Sequence, residues 1–185
     1  PVFLLPLQLE TDFQIRLHGP TGGQRPLLRR VVRDFAAHAA ADALLVVKRH
    51  PLDNGLTPWR AMLRKAAAEA RVENRVAFLP AGDIETCLRR SAGVLTVNST
   101  VGLTALRAGL PVIALGRAVY DLPGLTHRRE LSGFWRAPTP PDAELLRDFV
   151  AYLARTIQVP GGFDGAGAAP GADAMAERIL APAPF

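Results

Sequence analysis

The chain predicts an α/β fold, a parallel sheet covered by helices, and three observations carry that prediction. Short apolar runs rich in β-branched residues alternate with helical patterns through the first 155 residues, as consecutive strand-helix units require. Proline and glycine punctuate the junctions. Apolar residues make up 49% of the 185, enough for one ordinary core and too many for a disordered chain.

Taken in order, strands are expected at 2–7, 43–47, 76–79, 94–97 and 112–115, with helices at 26–41, 58–70, 84–91, 100–108 and 142–156. The helices near 58 and 142 begin beside Pro58 and Pro141, and proline suits a first turn because its φ is already helical. The helix near 100 follows Asn98, Ser99 and Thr100, whose side chains are favoured at an N-cap, and Gly109 and Pro111 stop it. Beyond 159 the Gly-, Pro- and Ala-rich run to 171 reads as a linker without regular structure. The expected plan is therefore an α/β unit over 1–158, a linker over 159–171, and a short helix and tail over 172–185.

Composition narrows the function classes. A single cysteine, Cys87, excludes an internal disulfide and a cysteine-rich metal site. Its neighbours Ile84, Leu88 and Ala92 predict a buried structural thiol. His18, His38, His50 and His127 show no close pairing, so no bound zinc is expected. No apolar run approaches the ~20 residues that cross a bilayer, and the opening PVFLLP lacks the basic flank of a signal peptide. A soluble, intracellular protein is expected, and a chain that enters a strand at once without a methionine is expected to be a piece of a larger one.

Lysine and arginine total 22 against 17 acidic residues, for a net charge of +5. Arg29, Arg30 and Arg33 lie on one predicted helix, Arg89 and Arg90 on another, and Arg128 and Arg129 in a loop. Aromatics do not interleave with them, so nucleic acid is not expected. A solvated basic surface facing anionic lipid headgroups or an acidic polymer accounts for them.

Ligands of open α/β sheets bind beyond the carboxyl ends of the strands, and those ends carry the polar groups here. Gln8, Glu10, Asp12 and Gln14 follow the first strand; Lys48, Arg49, His50 and Pro51 follow the second. Asn98, Ser99 and Thr100 follow the fourth, and Gly116, Arg117, Tyr120 and Asp121 the fifth. By itself the elbow at Asn98 is an ordinary N-cap. Set among the other strand ends it becomes a candidate phosphate site, since the first N–H groups of a helix are unpaired and its dipole favours an anion.

His50 is a candidate donor to a phosphate oxygen or acid toward a departing phosphate, with a capped turn and solvated imidazole as the alternative. If the chain turns helical after the first strand, Gln8 and Asp12 share a face. Asp12 or Glu10 would then be a nucleophile or general base in a nucleotide-sugar cleft, or an exposed loop acid. The loop from Gly116 through Tyr120 and Asp121 reads as a substrate loop, Tyr120 stacking on a base and Asp121 holding a hydroxyl, unless both serve packing.

Four segments, FLLPLQLETD at 3–12, KRHP at 48–51, VNSTVGLTAL at 97–106 and LGRAVYDLPGLT at 115–126, together resemble the bacterial capsule polysaccharide biosynthesis and export family, whose characterised members are β-Kdo transferases. The resemblance implies a Rossmann-like three-layer sheet forming one half of a GT-B glycosyltransferase, with the active site between two such halves. It implies CMP-Kdo as donor substrate, with no cofactor, and retention of configuration. His50 and Pro51 would bind the CMP phosphate, Asn98, Ser99 and Thr100 would form the elbow, and Gln8 and Asp12 would lie near the reaction centre. One such half is present, so an N-terminal GT-B domain is expected as a partner, with a lipid-linked glycan as acceptor and cytoplasmic or peripheral inner-membrane residence. Two rival expectations are a non-catalytic polysaccharide export or binding module and a UDP-sugar epimerase of GT-B type.

Overall fold

A computed structural model describes residues 1–162 and 165–180. The chain forms two compact units, Pro1–Asp142 and Ala143–Phe185, so the boundary precedes the helix that the sequence assigns to the α/β unit.

In the first unit five strands, β1 (Val2–Pro6), β2 (Leu44–Lys48), β3 (Val76–Leu79), β4 (Gly93–Thr96) and β5 (Val112–Ala114), form one sheet in the order β3-β2-β1-β4-β5. All pairs are parallel. The order reverses between β1, which carries Leu4 opposite Val94, and β4, and that reversal places the crevice.

Side-chain alternation divides the core. Phe3, Leu5, Leu45, Val47, Leu95 and Ile113 point to the face covered by α2 (Gln24–His38), α3 (Trp59–Ala70) and α6 (Leu131–Arg136), where they join Val31, Phe35, Leu63, Phe134 and Trp135. Leu4, Val94 and Val112 are buried outside that cluster, as are Leu88 of α4 (Ile84–Arg89) and Ala105 and Leu106 of α5 (Thr100–Arg107). The result is the three-layer Rossmann-like arrangement expected. Trp135 meets Phe3 and Phe35 edge-on at 4.9 and 5.2 Å, and its indole donates to Asp34 at 2.7 Å.

Several elements depart from expectation. α1 (Phe13–His18) is additional to the helices expected in order; Asp12 caps it, its Oδ1 accepting from Gln14 N at 2.8 Å. α6 is likewise additional. Cys87 is half-exposed rather than buried, because α4 has six residues and buries Leu88 alone. In the second unit α7 (Ala143–Thr156) is followed by a 3-10 turn at Gly165–Gly167 and α8 (Ala168–Leu180), so regular structure enters the expected linker. Pro170 stands in the first turn of α8, where a missing N–H leaves no helical bond unmade. The tail at 181–185 lies outside the described residues.

His127 tests the electrostatics of this core. It is 4% exposed, its Nδ1 lies 3.1 Å from Thr139 Oγ1, and its Nε2 has no hydrogen-bond partner among the described residues. Burial, reinforced by the charge of Arg129, lowers its pKa. A ring held neutral when folded contributes stability that is present above the ordinary value of about 6.5 and lost as pH falls below it. Thermal stability should therefore decline on acidification, and less steeply in His127→Gln. Parallel melting curves of the two proteins through that window would refute the assignment.

Candidate functional site

The switch point between β1 and β4 is closed by a side-chain clasp. Gln8, just past β1, donates from Nε2 to Asn98 Oδ1 at 2.9 Å, and Asn98 N donates back to Gln8 Oε1 at 3.2 Å. Asn98 Nδ2 also donates to Gln14 O at 3.0 Å, tying the elbow after β4 to α1. Gln8 and Asp12 do not share a helical face, because the helix begins only at Phe13 and 8–12 is a turn closed by Asp12 N on Leu9 O at 3.0 Å.

Beneath the clasp lies Gln24, which the sequence reading missed. It is 2% exposed, accepts from Gln8 N at 2.8 Å through Oε1, and donates to Gln8 O at 2.7 Å through Nε2. A side-chain amide thus pairs with both main-chain groups of a residue that has left the sheet ladder. Gly22 and Gly23 immediately before it have φ of +83° and +77°, the conformation that glycine adopts without strain. A double glycine before a helix start is the one signal that pointed here.

The two carboxylates have different surroundings. Glu10 lies 3.8 Å from Arg25 Nε and 3.5 Å from Gln24 Nε2. Asp12 spends Oδ1 on the α1 cap, which leaves Oδ2 as its free oxygen among the described contacts.

On β2, Lys48 is 5% exposed, with Nζ donating to Arg49 O at 3.3 Å and no carboxylate within 4.0 Å among the described residues. Arg49 turns away, its Nε donating to Pro80 O at 3.2 Å. His50 Nδ1 accepts from Leu52 N at 3.1 Å. That bond assigns the neutral proton to Nε2, which is left to donate. Asp53 holds the loop by accepting from Gly55 N at 2.8 Å and Trp59 Nε1 at 3.2 Å.

Ser99, not Thr100, caps α5: its Oγ accepts from Val101 N at 3.2 Å, and its carbonyl accepts from Gly102 N at 2.9 Å. Thr100 N has no hydrogen bond among the described residues, and Thr100 itself is exposed. With Val101 N and Gly102 N both bonded to Ser99, the elbow offers the Thr100 N–H and the serine hydroxyl, fewer open donors than a bare helix end.

Tyr120 supports this elbow from below. It is 2% exposed and its hydroxyl donates to Ser99 O at 2.6 Å. Burial pushes its phenol pKa up, and with no open ring face it packs rather than stacks on a base. Asp121 Oδ1 accepts from Thr126 Oγ1 at 2.6 Å, so it holds its own loop. Gly116 meets Val97 and the carbonyl of His18, where a Cβ would stand 2.7 and 2.8 Å from them; this lets Arg117 N donate to His18 O at 2.9 Å. The loops after β1, β4 and β5 are thereby joined at one end of the sheet. Phe13 and Leu17 of α1, and Leu52, Leu56 and Val119 of the loops, are exposed at that same end.

Among the described residues no cluster of three or more His, Cys, Asp or Glu is placed to hold a metal ion, and no helix is long and apolar enough to cross a membrane.

A parallel sheet ordered 3-2-1-4-5, with a polar clasp at its reversal, defines a Rossmann-like domain of the kind that makes one half of a GT-B fold. The sequence places it further: residues 1–163 match the capsule polysaccharide biosynthesis protein family, and the chain belongs to that family. It is 38% identical over 162 residues to the capsule polysaccharide modification protein LipB of Neisseria meningitidis, covering 87% of this chain and 39% of LipB. It is 33% identical over 157 residues to the capsule polysaccharide export protein KpsS of Escherichia coli, covering 85% of this chain and 40% of KpsS. The chain thus spans about two fifths of these relatives' length. Among solved structures, KpsC of Thermosulfurimonas dismutans, a beta Kdo 2,7 transferase, shares the fold with a TM-score of 0.52 at 22% identity, covering 83% of this chain and 55% of that one.

Proposed function

We propose that this chain is the nucleotide-binding half of a capsule glycosyltransferase that takes a CMP-sugar, of the Kdo type, and transfers the sugar to a lipid-linked glycan. The observation that carries the reading is the switch-point crevice, where Gln8, Asn98 and Ser99 from β1 and β4 stand together, with Lys48 and His50 at the end of the neighbouring strand β2. The phosphate of the nucleotide would take the Thr100 N–H, the Ser99 hydroxyl and the Nε2 proton of His50, with buried Lys48 supplying charge. The reaction breaks the bond between the anomeric carbon and the phosphate oxygen, CMP leaving with the electron pair. The new bond joins that carbon to an acceptor oxygen, whose proton is lost to a base.

Asp12 has the freer carboxylate oxygen and is the favoured nucleophile or base: as nucleophile it would bond the anomeric carbon while CMP leaves and then be displaced by the acceptor oxygen, giving the expected retention, whereas as base to a single displacement it would give inversion; Glu10 is engaged by Arg25 and Gln24. An N-terminal GT-B domain would supply the facing wall, and the exposed apolar side chains on α1 and the strand-end loops suit a covered surface. A lipid-linked acceptor would bring the enzyme to the cytoplasmic side of the inner membrane.

CMP is expected to raise the melting temperature of this chain, and His50→Ala to weaken CMP binding more than Asp12→Ala, since the first residue meets the phosphate and the second the sugar. Calorimetry showing equal or reversed losses would overturn these roles. Stabilisation by UDP in place of CMP would indicate the epimerase, and by neither nucleotide a non-catalytic export module. In a full-length enzyme, loss of turnover with intact nucleotide affinity should follow Asp12→Ala.

A further inference from the structure

The outer face of α2 carries a row that the crevice does not use. Its inward positions Leu27, Leu28, Val31, Val32 and Phe35 are buried, while Arg25, Arg29 and Arg33 recur at every fourth residue on the outside with Arg30 beside them, all exposed. Arg25 faces Glu10 at the crevice rim, 3.8 Å away. Arg29, Arg30 and Arg33 have no carboxylate within 4.0 Å among the described residues.

A shallow cleft of about 480 Å³ follows the row, lined also by Pro26, Asp34, Ala37 and His38. Asp34 is taken by the Trp135 indole and by His38 at 3.3 Å. A second cleft of about 350 Å³ shares Arg30 and adds Arg128 and Arg129. It also contains Glu130 and Asp121, the latter bonded to Thr126.

We propose that this arginine row is a binding track for an acidic glycan, a sugar chain bearing carboxylate groups, leading to the crevice at the Arg25 end. The proposal names the acceptor's chemistry and in that respect rests on the glycosyltransferase reading above. Four residues of helix advance about 6 Å, so the row presents a guanidinium at each such step over roughly 12 Å. Each fork matches a carboxylate in two parallel hydrogen bonds.

The alternatives fit less well. A nucleic acid would want exposed aromatic faces for its bases, and the one aromatic residue of α2, Phe35, is fully buried. A membrane-surface helix would offer large apolar side chains between its cations, and none of the exposed large apolar residues lies on α2.

The test uses oligogalacturonate as the carboxylated probe, maltodextrin as the neutral one and phosphatidylglycerol vesicles as the anionic lipid. The chain should bind oligogalacturonate with an affinity that falls as salt rises, and Arg29→Glu/Arg33→Glu should weaken it about tenfold or more. The CMP-induced rise in melting temperature should be unchanged, and Arg29→Gln/Arg33→Gln should show the same loss in smaller measure. Oligogalacturonate affinity unchanged from the parent in both double variants, equal binding of maltodextrin, or capture by the vesicles alone would each overturn the track. If the row governs oligogalacturonate binding while no nucleotide stabilises the chain, the track stands and the transferase reading falls.

Discussion

Replacing Gln24 by leucine is expected to destabilise the protein by about 2–6 kcal/mol and to loosen the floor of the crevice. Gln8 is 5% exposed, and both its N–H and its carbonyl pair with the Gln24 amide. Leucine fills similar space and satisfies neither, and each buried polar group left unmade costs about 1–3 kcal/mol. Urea denaturation measures the loss. A variant within about 0.5 kcal/mol of the parent, the range of inert surface changes, would mean that the Gln8 main chain does not depend on this amide.

Gln24→Glu separates hydrogen bonding from packing. The introduced carboxylate still accepts from Gln8 N but confronts Gln8 O and Glu10, which stand where the amide now donates at 2.7 and 3.5 Å. Burial and the neighbouring acid should raise the folded-state pKa of the introduced carboxyl, so the folded protein binds the proton more tightly than the unfolded one. The deficit of this variant should accordingly be largest at neutral pH and shrink on acidification, whereas that of Gln24→Leu should not.

Gly102→Ala is the second change expected to have a large effect. A Cβ there would collide with the Tyr120 hydroxyl and stand 2.8 Å from its ring edge. Tyr120 is fully buried and bonded to Ser99 O, so α5 or the tyrosine must shift, at about 1–3 kcal/mol for an overpacked site. Either shift breaks the prop beneath the elbow, so under the proposed CMP-sugar function CMP affinity should fall together with stability. Tyr120→Phe alone loses the hydrogen bond, about 1 kcal/mol. Combined with Gly102→Ala it should be less than additive, because the alanine has already displaced the hydroxyl. Additive losses in a double-mutant cycle would show that the two positions do not act through one contact.

The sheet is legible in the sequence because short apolar runs such as those at Leu44–Lys48 and Val112–Ala114 have few competing conformations, and because polar residues follow four of the five runs. The helix after Asn98 is legible from its capping residues alone. α1 is not: its six residues hold one buried side chain, Ile15, and an N-cap aspartate that also fits a catalytic reading.

Within the crevice, residue types announce Asn98, Ser99 and His50, but only the glycine pair at 22 and 23 hints at Gln24. Its partner is main chain sixteen residues away, and a glutamine on the first turn of a helix looks solvent-facing until the fold turns it inward. Tyr120 misleads for a related reason, since an aromatic in a loop after a strand reads as a ligand contact, while the glycine at 102 that receives it lies in another element. The expected linker misleads by composition: glycine and proline outweigh alanine up to 171, yet alanines at 168 and 169 suffice to start α8 with Pro170 in its first turn.

The clasp between Gln8 and Asn98 also decides when ordering costs are met. Both amides, and the Ser99 hydroxyl beside them, are already immobilised by hydrogen bonds within the chain. The rotamer entropy of such side chains, roughly 0.5–1.5 kcal/mol each on binding, has thus been surrendered during folding. Asn98 still keeps one amide hydrogen without a partner among the described residues. An arriving anion can gain that bond without dismantling the clasp, so the crevice is preorganised at its floor even where its walls are open.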